Sequence, residues 1–460
     1  MGGNLPKNWI ETNLETIIER MSNGSGLKQF EEPFENSFPI SRIETIWNES
    51  IDLDRVKYVN PTKTDIEKYS FLKGDVLFSH INSDKHLGKT AVFNLDTILI
   101  HGINLLLLRA QPQFNGYLLN YFLRYYRLTG KFIEVAQRSV NQSSINQKKL
   151  NTFKIPLPPL AEQNRIVEKL DRLFAQLEIL KTSMAKVPLL LKDFRQQVLT
   201  QAVTGKLLKI NQFTELGKLE IDIRTGPFGS ALHKSDYIEN GVSVINPSHI
   251  NNGIIIPDTN VSISNEKYQK LKVYKLINND VILGRRGEMG RAALYNESYG
   301  NCICGTGSII LRCGSNLYPK FLTFYIRSPF CIEYLNSNSV GTTMINLNQK
   351  IIKSLKVPNV SYLEQQEIVS RVESLFAKAD AIEQQYKSLK AKIDTLPQAI
   401  LHKAFKGELT EQLDSDGDAS ELLKQIQELK MSAVKPKKST TKKVKSYPEG
   451  DGVLGMVAEK

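Results

Sequence analysis

The chain has 460 residues, a length that allows two or three hydrophobic cores, and it contains no run of eighteen apolar residues and no basic leader, which argues against a membrane protein. Its formal charge of +12 favours an anionic partner, but six lysines stand in KPKKSTTKKVK at residues 435–445, so +12 less 6 leaves +6 for the rest. We therefore expect a cytoplasmic protein with a moderately basic body, which is compatible with nucleic-acid binding.

Residues 1–157 form the first predicted domain, in which strands are mixed with short helices. FLKGDVLFS at residues 71–79 alternates like a strand, and YLLNYFLRYY at residues 117–126 has the amphipathic spacing of a helix. HLGKTAV imitates the end of a phosphate-binding loop, but Ser83 replaces its first glycine and a strand follows, which excludes that site. The loop is instead a candidate DNA contact, with a solvated turn as the alternative. Its candidate residues are His80, Lys85, His86, Lys89 and Thr90.

A long helix is predicted over residues 158–208, where apolar side chains recur at alternating steps of four and three residues. This is the heptad spacing of a coiled coil, and we expect the whole stripe to be buried as scaffold. The stripe consists of Ile166, Leu170, Leu173, Leu177, Leu180, Met184, Val187, Leu191, Phe194 and Val198. The helix should end near Gly205, which can adopt a left-handed cap, and Pro188 should kink or split it.

Residues 209–358 form the second predicted domain and repeat parts of the first. LINNDVILG at residues 276–284 resembles the strand FLKGDVLFS, and the loop GRRGEMGRAALY follows it. Guanidinium groups in this loop can pair with a guanine edge or a phosphate, and its candidates are Arg285, Arg286 and Arg291. IRTGPFGSALHKSDY at residues 223–237 is a further candidate, with a structural turn plugged by Phe228 as the alternative. It presents Ser230, His233, Lys234 and Ser235.

All four cysteines lie between residues 302 and 331, with the spacing C-x-C-x8-C-x17-C. This pattern lacks the C-x2-C half of a zinc ribbon. We therefore expect reduced, partly buried thiols and no metal site.

Residues 359–412 copy the first helical region at a constant offset of 202 residues. Asn146, Gln147 and Lys148 match Asn348, Gln349 and Lys350, and Leu173, Phe174 and Ala175 match Leu375, Phe376 and Ala377. A register this long without a gap indicates an internal duplication. Pro397 should kink or split the second helix, which should end near Gly407.

Residues 413–460 are predicted to form an acidic linker, a short helix and a Lys-rich disordered tail. DSDGDASELLKQ imitates a calcium loop, but Gly417 stands in the wrong position and Gln425 replaces the bidentate glutamate.

None of the sequence motifs found in the chain is a known catalytic motif or has the spacing of metal ligands, and the chain has only six histidines. Three classes of protein remain: a DNA-recognition subunit, an enzyme with an unrecognised active site, and a coiled-coil assembly scaffold without sequence-specific DNA binding. Paired, divergent domains with cationic glycine loops favour the first class.

Several motifs together resemble the specificity subunits of type I restriction-modification systems. They are PLPPLAEQ before the first helix, FRQQVLTQAVTGKL at its end, the second copies of both, GPFGSALHKSDY, and LPKNW at residue 5. The resemblance covers residues 5–410. It implies an α+β fold with two pseudo-two-fold-related DNA target recognition domains, each followed by a long helix, and the two helices pairing as an antiparallel coiled coil.

The resemblance also implies the partners of the chain. Each domain would read half of a bipartite, asymmetric double-stranded DNA sequence. Two modification subunits that bind S-adenosylmethionine would dock on the helical regions, and two restriction subunits that use ATP and Mg would complete the complex. The chain itself would carry no cofactor, metal or catalytic residue. The candidate docking residues are Glu162, Gln163, Arg195, Gln196, Glu364 and Gln365.

Overall fold

The computed structural model describes residues 5–140, 142–204, 212–338 and 346–433. The described residues form two compact units: the first comprises residues up to Glu178 and those from Ile393 onward, and the second spans Ile179–Lys392. Each unit thus contains one predicted recognition domain and segments of both helical regions. The predicted end of the first helix at Gly205 and the Lys-rich segment 435–445 lie outside the described residues.

The first domain contains thirteen strands and five helices among its described residues. The strands are β1 (Ile10–Asn13), β2 (Ile18–Asn23), β3 (Phe38–Ile40), β4 (Ile46–Trp47), β5 (Ser50–Ile51), β6 (Lys57–Val59), β7 (Val76–Phe78), β8 (Ile81–Asn82), β9 (Thr90–Val92), β10 (Leu106–Ala110), β11 (Gln137–Ser139), β12 (Gln142–Ser144) and β13 (Lys154–Leu157). The helices are α1 (Leu14–Ile17), α2 (Lys63–Tyr69), α3 (Gly116–Leu128), α4 (Lys131–Val135) and α5 (Gln147–Asn151). The strand and helix predicted near residues 71–79 and 117–126 are confirmed as β7 and α3.

The first helical region is broken in two, as α6 (Leu160–Met184) and α7 (Val187–Val203). Pro188 stands in the first turn of α7. A proline is tolerated there because the N–H groups of the first helical turn have no acceptor within the helix, so the N–H that proline lacks is not needed. The prediction that Pro188 splits this helix is therefore confirmed.

The second domain contains twelve strands and four helices in the described part of the chain. The strands are β14 (Phe213–Glu215), β15 (Ile221–Thr225), β16 (Tyr237–Ile238), β17 (Val242–Ile245), β18 (Ile250–Asn251), β19 (Ile254–Ile255), β20 (Ser262–Ile263), β21 (Val281–Gly284), β22 (Ala292–Leu294), β23 (Cys302–Cys304), β24 (Ser308–Cys313) and β25 (Lys356–Pro358). The helices are α8 (Asn265–Lys270), α9 (Pro319–Ile326), α10 (Pro329–Asn338) and α11 (Gln349–Lys353).

The second helical region is the unbroken helix α12 (Tyr362–Phe405), followed by α13 (Ala419–Ala433). Pro397 stays inside α12, so the predicted split of this helix is wrong, and the alternative, a kink, stays a prediction. Gly407 has a φ of 73°, which confirms the predicted left-handed end of this region.

Each domain is built on a four-stranded antiparallel sheet of the same topology. The order is β2-β10-β7-β9 in the first domain and β15-β24-β21-β22 in the second. Helix α3 packs on β7 and β9, and α9 packs on β21 and β22. The first strand of each domain pairs antiparallel with the last strand, which precedes the long helix: β1 pairs with β13, and β14 pairs with β25. The predicted duplication is thus present in the sheets as well as in the sequence.

The central strands of both domains are joined by the same buried ion pair. Arg109 makes two bonds to Asp75, of 2.8 and 2.7 Å, and Arg312 makes two of 2.8 Å to Asp280. The aspartate side chains are 2% and 0% exposed. The bonds from Asp75 raise the pKa of the Arg109 guanidinium further. The aspartate that opens each predicted strand is therefore part of the common framework.

The heptad stripe is buried only in part. Ile166, Leu170, Ile368 and Val372 are at most 1% exposed, whereas Leu180, Ile382 and Leu389 are 43, 50 and 51% exposed. The prediction that the entire stripe is buried is therefore wrong for its middle. The cysteines are free thiols, three of them buried, and burial raises the pKa of Cys302 to about 11.

Candidate DNA-recognition loops and helical surfaces

The cationic loop of the first domain lies between β7 and β9 and is closed by backbone hydrogen bonds. The N–H of Ser79 donates to the carbonyl of Lys89 at 2.9 Å, and the N–H of Gly88 donates to Ser79 at 2.8 Å. Gly88 has a φ of 74°, and a Cβ there would lie 2.3 Å from the Phe132 ring. Glycine is therefore required at this turn, which holds the loop against the domain.

Several cations crowd this loop. Lys85 is exposed, and His86 and Lys89 are half-buried. Burial lowers the pKa of Lys89, and the nearby charges of Arg127 and Lys85 lower it further. Burial also lowers the pKa of His86, and the charges of Lys89, Lys85 and Arg127 lower it further. An anion such as a DNA phosphate would relieve this mutual repulsion.

Two predicted contact residues of this loop are not accessible in this conformation. His80 is 7% exposed, and Thr90 lies in β9 at 4% exposure. Burial lowers the pKa of His80, and its Nδ1 has no hydrogen-bond partner within the described residues. Their direct contact with DNA is therefore not supported, because neither side chain reaches the surface.

Arg285 occupies the position in the second domain that corresponds to His80, directly after the central strand. It is 4% exposed, its Nε donates to Oδ1 of Asn346 at 2.9 Å, and its guanidinium lies 4.7 Å from the centre of the Phe228 ring. Its Nη1 is buried with no partner in the described part of the chain. Burial and then the charge of Arg286 lower its pKa. Phe228 is 50% exposed, so it covers Arg285 rather than plugging a core.

The other two arginines of this loop differ in how free their side chains are to contact DNA. Arg291 makes bonds of 2.9 and 2.7 Å to Oε2 of Glu288 and one of 3.3 Å to the Pro247 carbonyl. Arg286 is half-buried and pairs through its backbone with Asn346. Arg291 would have to exchange an exposed ion pair to reach DNA, a change of small cost.

Ser230, His233, Lys234 and Ser235 are exposed on the turn that follows Phe228. The N–H of His233 donates to Asp236 at 2.7 Å, and Asp236 accepts a 2.9 Å ion pair from Lys267. This anchoring places the residues on a separate turn from the Arg285 loop. Phe228 is the residue of the GPFGS segment that contacts Arg285.

Three of the six predicted docking residues are buried within their own units. Glu162 accepts hydrogen bonds from Trp9 at 2.8 Å, Thr410 at 3.1 Å and Gln412 at 3.0 Å. Gln163 and Gln365, 0 and 2% exposed, fasten the start of each helix to its domain. Their Oε1 atoms accept from the N–H groups of Asn115 and Tyr318, at 2.9 and 2.7 Å. Burial and saturated bonding therefore contradict the prediction that these three side chains dock a partner directly.

The remaining docking candidates lie on the helix surface. Arg195 pairs with Asp380 at 2.6 Å and with Glu383 at 2.9 Å inside the second unit. Ala202 follows Arg195 on α7, and it shares a hydrophobic core with Val372, which precedes Asp380 on α12. Helix α7 and the first part of α12 therefore run antiparallel. Gln196 is exposed. Glu364 is exposed and forms a capping box with Ser361, whose bonds lower the pKa of Glu364.

Two surface features were not predicted from the sequence. Leu189 and Leu190 on α7 are 61 and 63% exposed. Strands β11 and β12 form a polar ribbon paired with β8 at the first cationic loop. Their signals in the sequence are an apolar pair outside the heptad stripe and the run QRSVNQSS, which is polar except for Val140.

A family model for the type I restriction modification DNA specificity domain matches residues 6–189 and again residues 222–391. The chain belongs to the type I restriction-modification specificity subunits. It is 32% identical over 425 residues to the type I restriction enzyme MjaX specificity subunit of Methanocaldococcus jannaschii, covering 88% of this chain and 95% of that protein. It is 28% identical over 467 residues to the EcoKI specificity subunit of Escherichia coli (strain K12), covering 96% and 99%.

Solved structures are similar to this specificity subunit in fold. The HsdS subunit from Thermoanaerobacter tengcongensis has a TM-score of 0.62 and 19% identity, covering 88% of this chain and 99% of that chain. A chain described under the assembly and conformational transition of the type I R-M system has a TM-score of 0.63 and 20% identity, covering 88% and 100%. The predicted α+β fold class and family are confirmed.

As a member of this family, the specificity subunit recognises DNA and is not itself the catalyst of the restriction enzyme. Within the described ranges, no group of three or more His, Cys, Asp and Glu side chains is arranged to hold a metal ion. No described helix is both long and apolar enough to cross a bilayer.

Proposed function

We propose that this specificity subunit reads a bipartite, asymmetric double-stranded DNA target, with one half-site for each recognition domain. The observation that carries the proposal is a common sheet framework that ends in a different cationic loop in each domain. Lys85 and Lys89 belong to the first loop, and Arg286 and Arg291 belong to the second. Loops that differ on equivalent frameworks suit the recognition of two unlike sequences.

The helical regions would set the gap between the half-sites and dock two modification subunits, which bind S-adenosylmethionine and methylate adenine. Two restriction subunits using ATP and Mg would join the same assembly. Exposed Gln196 lies on α7 with Leu189 and Leu190, which gives this helix the mixed polar and apolar surface that protein interfaces use. Exposed Glu364, at the start of α12, is a separate docking candidate.

The experiment for DNA recognition is co-expression of the chain with its modification subunit in a methylation-free host, followed by mapping of modified adenines by long-read sequencing. A bipartite motif with a fixed gap is expected. Arg286→Ala should weaken modification through the second half-site, whereas Lys85→Ala should weaken modification of every target alike, because a phosphate contact carries no sequence information. A soluble complex that binds S-adenosylmethionine yet modifies no adenine would favour a protein scaffold and reject the proposal.

The experiment for docking compares Leu190→Glu with Val273→Glu in binding to the modification subunit. Val273 is 58% exposed in the second domain, close to the 63% of Leu190, but it lies away from the helices. Leu190→Glu should weaken binding about tenfold or more, because it places a charge in an apolar contact. Equal affinities of both variants would remove α7 from the docking surface.

A further inference from the structure

A small sheet in the first unit differs from the rest of its domain in having almost no apolar side chains. It consists of β11, β12 and β8, in that order. All three residues of β11 are exposed, whereas all three residues of the central strand β7 are buried. The pairing Gln137↔Ser144 and Ser139↔Gln142 places these four polar side chains on one face of the ribbon.

The ribbon is held by the cationic loop rather than by the domain core. Ser143 of β12 pairs with Asn82 of β8, which opens that loop. The Ser143 hydroxyl donates to Asp84, and Arg138 forms a 3.5 Å ion pair with the same carboxylate. A polar two-stranded ribbon has little stability of its own, so these contacts fix its position beside Lys85.

The chemistry of the exposed face matches base edges. Glutamine can make paired hydrogen bonds to adenine, and the serine hydroxyl can both donate and accept a hydrogen bond. Val140, between the two strands, is 92% exposed, and an apolar side chain of this kind can contact the methyl group of thymine. A two-stranded ribbon is also narrow enough to enter the major groove.

We propose that the ribbon formed by β11 and β12 is the base-reading element of the first recognition domain, through Gln137 and Gln142, which share one face, while Arg138 on the opposite face binds a phosphate. This inference rests on the proposed function and adds the groove and the residues that read it. Lys85 and Lys89 bind the flanking phosphates. The side chains of Arg138 and Asp84 are 64 and 52% exposed, so their ion pair is weak and Arg138 can exchange it for DNA at small cost.

The test uses the chain assembled with its modification subunit and a duplex carrying the motif mapped from the unaltered complex. Gln137→Ala and Gln142→Ala should each lower affinity for that duplex about tenfold or more and relax the motif at one position of the first half-site. The second half-site should be unchanged. Lys85→Ala and Arg138→Ala should instead each weaken binding to all sequences and reduce the number of salt ions released on binding by about one.

Arg42→Ala is the matched control for charge. Arg42 lies in the first domain, outside the cationic loop and the helical regions, and its 3.6 Å ion pair with Glu44 resembles the 3.5 Å pair of Arg138 with Asp84. Its replacement should leave both affinity and motif unchanged. Circular dichroism of each variant checks that the domain still folds.

Two results would overturn the inference: ribbon variants that keep the full motif and affinity, or ribbon variants that lose the modification subunit while DNA recognition persists. The second result would make the ribbon a protein contact. Failure of the proposed function is distinguishable from both, because the unaltered complex would then yield no bipartite motif.

Discussion

The two recognition domains share a framework and differ in the loop that follows its central strand. The buried pairs Asp75 with Arg109 and Asp280 with Arg312 have the same geometry within 0.1 Å, and the central sheets have the same strand order. The loop exposes Lys85 in the first domain and half-exposes Arg286 in the second. Under the proposed function, folding and DNA specificity therefore depend on separate residues, and each can be altered alone.

The largest expected effect comes from breaking the shared framework. Arg109→Met and Arg312→Met should each destabilise their own unit by about 3–5 kcal/mol, because a buried aspartate loses its partner. Both tryptophans, Trp9 and Trp47, belong to the first unit. Tryptophan fluorescence in denaturant should therefore shift in Arg109→Met, whereas Arg312→Met should shift only the circular dichroism.

Lys73→Met is the control for this experiment. Lys73 pairs with Asp96, but both side chains are more than half exposed, so the loss of Lys73 should lower the free energy of unfolding far less than the loss of Arg109. A similarly small cost for Arg109→Met would show that the buried pairs do not hold the frameworks together.

The next largest effect is a difference between the two units in how their stability depends on pH. Burial lowers the pKa of His101 from 6.5 to about 4, and the corresponding residue of the second domain is Cys304, a buried thiol whose pKa is raised. Between pH 6.5 and 4 the unfolded chain binds a proton that folded His101 does not. Stability of the first unit should therefore fall as the pH falls through this window, by at most about 3 kcal/mol.

The measurement is the denaturant midpoint of the tryptophan transition at pH 7.5, 5.5 and 4.5. His101→Cys copies the residue of the second domain and should flatten the pH dependence, whatever its effect on stability at pH 7.5. An unchanged slope would assign the acid sensitivity to other groups, of which His80, also buried with a lowered pKa, is the first to replace.

A third contrast lies in two glutamates at the same place in the repeat. Glu162 is fully buried and accepts three hydrogen bonds, whereas Glu364 is exposed and caps α12. Glu162→Gln should lower the free energy of unfolding by about 2 kcal/mol, because an amide replaces a carboxylate oxygen that faces donors. Glu364→Gln should lower it much less, because the Glu364 side chain is exposed. Unfolding of each variant, with the emission of Trp9 as a local signal, measures the difference. Equal costs would contradict it.

Much of the framework was predictable because it repeats in the sequence. The 202-residue offset located both helical regions, and the alternation in FLKGDVLFS and LINNDVILG located equivalent central strands. The repeat could not distinguish Glu162 from Glu364, because burial of Glu162 depends on Trp9, Thr410 and Gln412, which lie far from it in sequence. The same residue type at equivalent positions of the repeat therefore predicted the same docking role for Glu162 and Glu364, although only Glu364 is exposed.

The candidate DNA contacts were less predictable for a related reason. Residue type and glycine spacing identified the cationic loops, but they could not show that Arg285 is buried under Phe228 or that Arg291 is paired with Glu288. The break at Pro188 and the continuity at Pro397 also depend on context. Pro188 stands at a helix start, whereas Pro397 is tolerated inside a helix whose other bonds persist.

The smallest expected effect concerns an ion pair for which only the first copy of the repeat supplies the arginine. Arg195 pairs with Asp380 and Glu383, whereas the position 202 residues after Arg195 is Pro397, which has no charge. Because Arg195 and its partners are partly solvated, Arg195→Met should cost only about 0.5 kcal/mol, and a double-mutant cycle with Glu383→Gln should give a coupling of similar size. The cycle is measured by denaturant unfolding of the isolated chain and by its affinity for the modification subunit. A coupling in unfolding without a loss of affinity would assign Arg195 to helix pairing, whereas a loss of affinity without coupling would support its proposed role in docking.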